Sequence, residues 1–142
     1  MNNTLTNPPV RPDDMLATWA PRALALLRIV VGLLFIEHGT QKLFAFPAAP
    51  PFPMPAPFTL IWISAVLEAV GGFLLVLGLF TRPVAFILSG EMAFAYFMAH
   101  AGHSFFPILN AGEGAVLYCF IFLYFAAAGG GVWSIDDAMR RR

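Results

Sequence analysis

Four glutamates stand inside otherwise apolar stretches of a 142-residue chain: Glu37, Glu68, Glu91 and Glu113. Arg28, His38, Gln41 and Lys42 share the first of those stretches. A charge within a bilayer carries a penalty of ~2.5–3.5 kcal/mol on insertion scales, so such acids are expected to turn inward and find partners. Carboxylates gathered with a histidine and a lysine can hold a polar head group and pass protons. On that chemistry Glu37, Glu68 and Glu113 are the candidate proton-exchanging groups, and His38, Gln41, Lys42, Glu91 and Asn110 the candidate ligand-binding ones. Fifteen phenylalanines and three tyrosines suit a lipophilic aromatic ligand, although aromatic side chains in a membrane core serve packing as readily. The plainer alternative is that the acids neutralise Arg28, Lys42, histidines or hydroxyls and only fix helix register.

A carboxylate-bridged metal pair is the third reading, and the spacing speaks against it. Such centres in helix bundles draw Glu-x-x-His from two of the helices, whereas Glu37 and His38 are adjacent and point about 100° apart. No glutamate has a histidine three residues later. His100 and His103 form a pair that is only modestly ligand-like, so no metal ligands are assigned. Cys119 is the one cysteine, which excludes an internal disulfide and a cysteine-held cluster, and its aromatic neighbours Tyr118 and Phe120 mark it as an inert core thiol.

The composition says what must position these residues. The chain is 59% apolar and only 11% charged, with a mean hydropathy of +0.76, against roughly 25% charged in an average soluble domain. Sixteen charged residues cannot cover a water-soluble globule of this size, so the expected solvent is lipid. Zero net charge and a pI near 6.8 exclude the basic stripe that a nucleic-acid binder needs. Four apolar stretches, about 23–44, 58–80, 83–101 and 105–128, each approach the ~20 residues that cross a bilayer as helix. The expected fold is all-α, an integral membrane four-helix up-down bundle over residues 21–130. Residues 1–20 read as a polar N-terminal tail and 131–142 as a cytoplasmic C-terminal tail. Between the first two stretches, residues 46–57 hold six prolines in twelve and cannot be helix. Arg11, Arg22, Arg82 and Arg140 to Arg142 fall on one side of this arrangement. The positive-inside rule then makes both termini cytoplasmic in a multi-pass inner-membrane protein, with Lys42 a mild exception.

Helical geometry brings the acids near one level. At ~1.5 Å rise per residue, Glu37 and Glu113 fall about 10 Å below the outer surface and Glu68 and Glu91 about 15–18 Å deep. Glu37, Gln41, His38 and Lys42 occupy a continuous arc of about 140°, opposite an edge formed by Gly32 and Gly39. Glu68 shares a face with Gly71, Gly72 and Leu75, and small residues mark close helix approach. His100 projects about 180° from Glu91 on a regular helix, and joins the others only if the segment bends or ends near Gly102. Arg28 is expected to snorkel to the cytoplasmic surface on its long stem.

Several motifs carry a family resemblance. Arg28-x-x-x-Gly32, His38-Gly-Thr-Gln-Lys42-Leu-Phe, Leu67-Glu-Ala-Val-Gly-Gly72, Leu77-Gly-Leu-Phe-Thr-Arg82, Asn110-Ala-Gly-Glu113 and Gly131-Val-Trp-Ser-Ile-Asp136 resemble, in order and spacing, the DoxX family of small four-helix membrane proteins. The resemblance covers residues 27–137. It implies an inner-membrane protein tied to redox chemistry, since relatives include subunits of thiosulfate:quinone oxidoreductase and membrane partners of thiol-oxidative-stress complexes. The positions carried over are Arg28, His38, Gln41, Lys42, Glu68, Arg82, Asn110 and Glu113. Glu37, Glu91, His100 and His103 are not among the positions carried over. The chain has no paired cysteines or soluble extra domain, so redox work calls for a partner protein. The function expected is a quinone-interacting subunit of a membrane oxidoreductase. The alternatives are a non-enzymatic scaffold and a small-molecule permease, the latter disfavoured by how few polar groups the cytoplasmic half holds.

Overall fold

A computed structural model describes residues 12–141, with side chains from residue 16 onward. Residues 1–11 of the expected tail, with Arg11, and also Arg142, lie outside the described residues. Six α-helices follow: α1 Pro12–Phe44, α2 Leu60–Leu77, α3 Thr81–Ala95, α4 Pro107–Asn110, α5 Glu113–Ala128 and α6 Ile135–Arg140. Among the described residues there is no strand. The protein is all-helical.

α1 begins earlier than the apolar run that marks it, because Pro12 suits a first helical position, where its missing N–H is not needed. α2 ends in a left-handed Gly78 whose N–H bonds the Leu75 carbonyl at 3.0 Å, with Leu79 N–H on Leu74. α3 passes without a break into one π-helical turn, Tyr96–His100. The stretch expected as a single fourth helix is interrupted. Asn110 accepts the Gly112 N–H on its own Oδ1 at 2.8 Å while Ala111 turns left-handed at φ 56°, so α4 stops there and α5 starts afresh.

α1 packs along α2 and α3 along α5, while α2 meets α3. The α1–α2 seam is close because glycines line it. A Cβ on Gly32 would stand 2.9 Å from the Gly72 carbonyl, and one on Gly39 2.5 Å from the Ala69 nitrogen. Phe35, Leu75, Leu88, Met92, Phe122 and Phe125 fill the centre, with the Phe35 and Phe122 rings edge-on at 4.7 Å. Ser89 ties α3 to α5 by donating to the Cys119 carbonyl at 2.8 Å.

The outside of the molecule is the apolar part. Leu26, Val30, Phe73, Phe86, Phe120 and Leu123 are exposed, whereas Arg28, Glu68 and Asn110 are buried. Leu16–Phe44 and Leu60–Leu77 are long and apolar enough to cross a membrane, and only 28% of each apolar window is buried, unlike the core helix of a soluble protein. Arg28, Glu68 and Asn110 turned in beneath a largely apolar exterior are what a hydrocarbon solvent selects, with Glu37 and Glu113 the exposed exceptions.

Candidate functional site

The end of the molecule that holds Phe44 carries the central cluster. Lys42, in the last turn of α1, places its Nζ 2.5 Å from Glu68 Oε1 on α2. Glu68 is 3% exposed and Lys42 20%. One helical turn before Glu68, Ser64 lies on the same face of α2. Its hydroxyl donates to Glu91 Oε1 on α3 at 2.8 Å and stands 3.4 Å from Glu68 Oε1 and from Lys42 Nζ. Three helices thus supply an ammonium, a hydroxyl and two carboxylates in one connected group. Glu68 Oε2 and Glu91 Oε2 are buried and have no hydrogen-bond partner among the described residues. Ser64 is the member sequence reasoning missed; its signal was the four-residue spacing to Glu68 within an apolar run.

The other candidates stand apart from this cluster. Glu37 and His38 are exposed on α1, and Gln41 is half-buried. A 140° arc is wider than one helix contact, so only its edge nearest the glycines, where Lys42 sits, turns to α2. The His38 ring lies edge-on to Phe35 at 6.4 Å and to Tyr118 at 5.9 Å, where aromatic side chains bridge α1 to α5. Glu113 is exposed in the first turn of α5. Asn110 is buried and occupied by its own loop: Nδ2 donates to the Ser104 carbonyl at 2.7 Å, and Oδ1 accepts from Gly112. His100 does come round, by way of the π turn, but to the Asn110 carbonyl at 2.9 Å from Nδ1 rather than to Glu91.

At the opposite end, which holds Arg82, three charged side chains, Arg28, Arg82 and Asp136, meet backbone. Arg28 does not snorkel: it is fully buried, because the carbonyls at the end of α2 and in the following C-terminal segment offer it a dry, complete set of acceptors. Nε donates to Gly130 O at 2.8 Å, Nη2 to Trp133 O at 2.9 Å, and Nη1 to Val76 O at 2.8 Å and to Leu75 O. Arg82 Nη1 caps α5 through the Ala126 and Ala127 carbonyls at 3.2 and 2.6 Å. Asp136 caps α3, taking the Phe80 and Thr81 N–H groups at 2.9 and 2.8 Å. Burial pushes the Asp136 carboxyl up, but hydrogen bonds from Thr81 and Phe80, with Arg140 close by, hold it below the usual carboxylate range. The segment after α5 is therefore folded onto the helix ends by the very residues that recur in the sequence motifs.

Comparison with known proteins gives the family. The chain is 48% identical over 132 residues to an uncharacterized protein of Haemophilus influenzae, covering 86% of this chain and 94% of that one. It is 29% identical over 128 residues to the inner membrane protein YphA of Escherichia coli, covering 82% and 89% respectively. No solved structure matches. The family model described as DoxX matches residues 23–101, from before Arg28 to just past the π turn, and so includes Lys42, Ser64, Glu68 and Glu91. This chain belongs to the DoxX family of membrane proteins.

Proposed function

We propose that the chain is an inner-membrane subunit of a redox system, a four-helix up-down bundle with both termini cytoplasmic, and that the Lys42, Ser64, Glu68 and Glu91 cluster receives the head group of a quinone. Two unpartnered carboxylate oxygens, Glu68 Oε2 and Glu91 Oε2, carry the reading. A buried acceptor left without a donor costs about 1–3 kcal/mol, so two in one cluster suit a site whose donors arrive with a ligand.

The residues fit such a ligand in both of its forms. Carbonyl oxygens of a quinone accept, and the Lys42 ammonium donates; hydroxyls of the reduced form donate, and the two free carboxylate oxygens accept. A quinone supplies two-electron, two-proton chemistry when bound. The chain's own part is to hold the ring oxygens and move protons: Glu91, the Ser64 hydroxyl, Glu68 and Lys42 form a contiguous hydrogen-bonded series, in which Lys42 is more exposed than Glu68. Glu37, His38, Gln41, Asn110 and Glu113 enter the proposal as outlying groups on α1, α4 and α5. Electrons come from a partner protein, as the family resemblance implies. The clustering of Arg22, Arg82, Arg140 and Arg141 at one end supports the cytoplasmic assignment of both termini. A permease is disfavoured because Arg28 closes that end with four hydrogen bonds.

Quinone extraction from the purified chain, with titration by a short-chain ubiquinone, tests the proposal. Lys42→Ala and Glu68→Gln should each weaken binding by about 10–100-fold, the worth of one charged hydrogen bond, with helix content unchanged. Ordinary quinone affinity in both variants would overturn it and leave the scaffold reading, which tolerates Glu68→Gln.

A further inference from the structure

At the Arg82 end a cleft of about 370 Å³ lies between the start of α3, the turn after α5, and α6. Two arginines from separate elements line it, Arg82 and Arg140. Arg82 uses Nη1 on the α5 carbonyls and reaches Ala128 only at 3.5 Å through Nη2, which leaves Nε without an acceptor among the described residues. Arg140 uses Nε on the Asp136 carbonyl at 3.3 Å and keeps both terminal nitrogens open. The acid in the wall, Asp136, has its two oxygens taken by the backbone of Phe80 and Thr81. The cleft thus offers planar N–H donors from two guanidinium groups and presents no free carboxylate to a cation.

Apolar side chains line it as well: Phe80, Pro83 and Met139, with Phe80 60% exposed. Trp19, paired with Arg22 at 5.1 Å, and Trp133 are exposed at the same end of the molecule. Tryptophan and arginine together mark the head-group level of a bilayer. Guanidinium donors match phosphate oxygens in pairs, and a single positive excess suits a singly charged phosphodiester.

We infer that this cleft seats the phosphate of an anionic phospholipid, with the glycerol and first acyl carbons against Phe80 and Met139. The site is remote from the Lys42 cluster and independent of the redox reading.

Native mass spectrometry of the detergent-solubilised chain, titrated with short-chain phosphatidylglycerol or phosphatidylcholine, tests the assignment. Phosphatidylglycerol should bind in preference. Arg140→Gln should weaken it about fivefold, the share of one interfacial arginine, and Arg82→Gln by a similar factor. Arg82 also caps α5, so Arg140→Gln decides the matter if the Arg82 variant unfolds. Arg141→Gln removes a nearby charge that pairs with Asp137 at 2.8 Å and does not line the cleft, and it should change binding less than twofold. Equal binding of the two lipids, or an Arg141→Gln loss as large as that of Arg140→Gln, would overturn the site. Inorganic phosphate that displaces phosphatidylglycerol at low millimolar concentration would overturn the lipid as its source.

Discussion

Arg28→Met removes the one side chain that holds the end of α2, the 129–133 turn and α1 together. Its guanidinium is fully buried and donates to four carbonyls. Of these, Leu75 O keeps the Gly78 N–H as a donor at 3.0 Å, whereas Val76, Gly130 and Trp133 lose the donor that the structure gives them. Three carbonyls at about 1–3 kcal/mol each set the gross loss. Water reaching this end and the desolvation relieved by removing a buried charge reduce it to a net of about 3–5 kcal/mol. For a domain of this size that lowers the unfolding midpoint by roughly 10–15 °C. Arg28→Lys keeps the charge but loses the fork. An ammonium reaching the α2 carbonyls leaves Gly130 and Trp133 unserved, so it should recover less than half. Thermal unfolding in detergent gives the midpoint, and hydrogen exchange over 129–141 shows whether the C-terminal segment has come away. A methionine variant that melts within a few degrees of the native chain, with 129–141 still protected, would refute the reasoning. So would a lysine variant indistinguishable from the native chain, since that is how a surface-seeking arginine behaves.

Two further outcomes follow from the same contacts. Asp136 has a folded-state value below its unfolded one, so its contribution is present above about pH 4 and is lost as pH falls through the folded value. Exchange over 135–140 should accelerate below pH 4 in the native chain. Asp136→Asn should already show a loss of about 1 kcal/mol at neutral pH, with little further acid response. Gly39→Ala sets a methyl group against the Ala69 nitrogen and the Ala65 carbonyl, backbone atoms that cannot yield, so α1 must shift, at about 1–3 kcal/mol. Because Lys42 is one turn away, quinone affinity should fall as well. Gly90→Ala, with nothing within 4 Å of the new carbon, should leave both unchanged or raise stability slightly, and a loss there equal to that of Gly39→Ala would count against the packing argument.

What was legible in the sequence was whatever depends on one helix at a time. The apolar runs located α1, α2, α3 and α5, and the Gly71–Gly72 stripe showed that Glu68 faces a neighbour. Which edge of the α1 polar arc is covered depends on where α2 lies, and periodicity alone does not carry that, so nothing in the arc told whether Glu37 or Lys42 would be covered. The break at Ala111 had a local signal in Asn110 and Gly112, but the apolar composition on either side hid it. Arg28 was misread for a different reason: its acceptors lie 47 to 105 residues away in the chain, and no single-helix argument reaches them.

The two ends of the molecule use their charges in opposite ways, and that difference separates architecture from chemistry. Around Arg28, Arg82 and Asp136 the acceptors are backbone carbonyls and the donors backbone N–H groups, so the charges are matched to atoms that every helix end possesses. Such contacts close a structure, and Arg82 makes its contribution through its terminal nitrogens, with Nε left open to the cleft. Around Lys42 the partners are side chains on three different helices, and any of them is replaceable by an apolar residue without stranding a helix terminus. An apolar replacement of a buried ionic group is often neutral or stabilising, so packing alone gives no reason to keep two carboxylates and a lysine here. With two carboxylate oxygens still unpaired, the group is costly as structure, and that cost is what the quinone proposal accounts for.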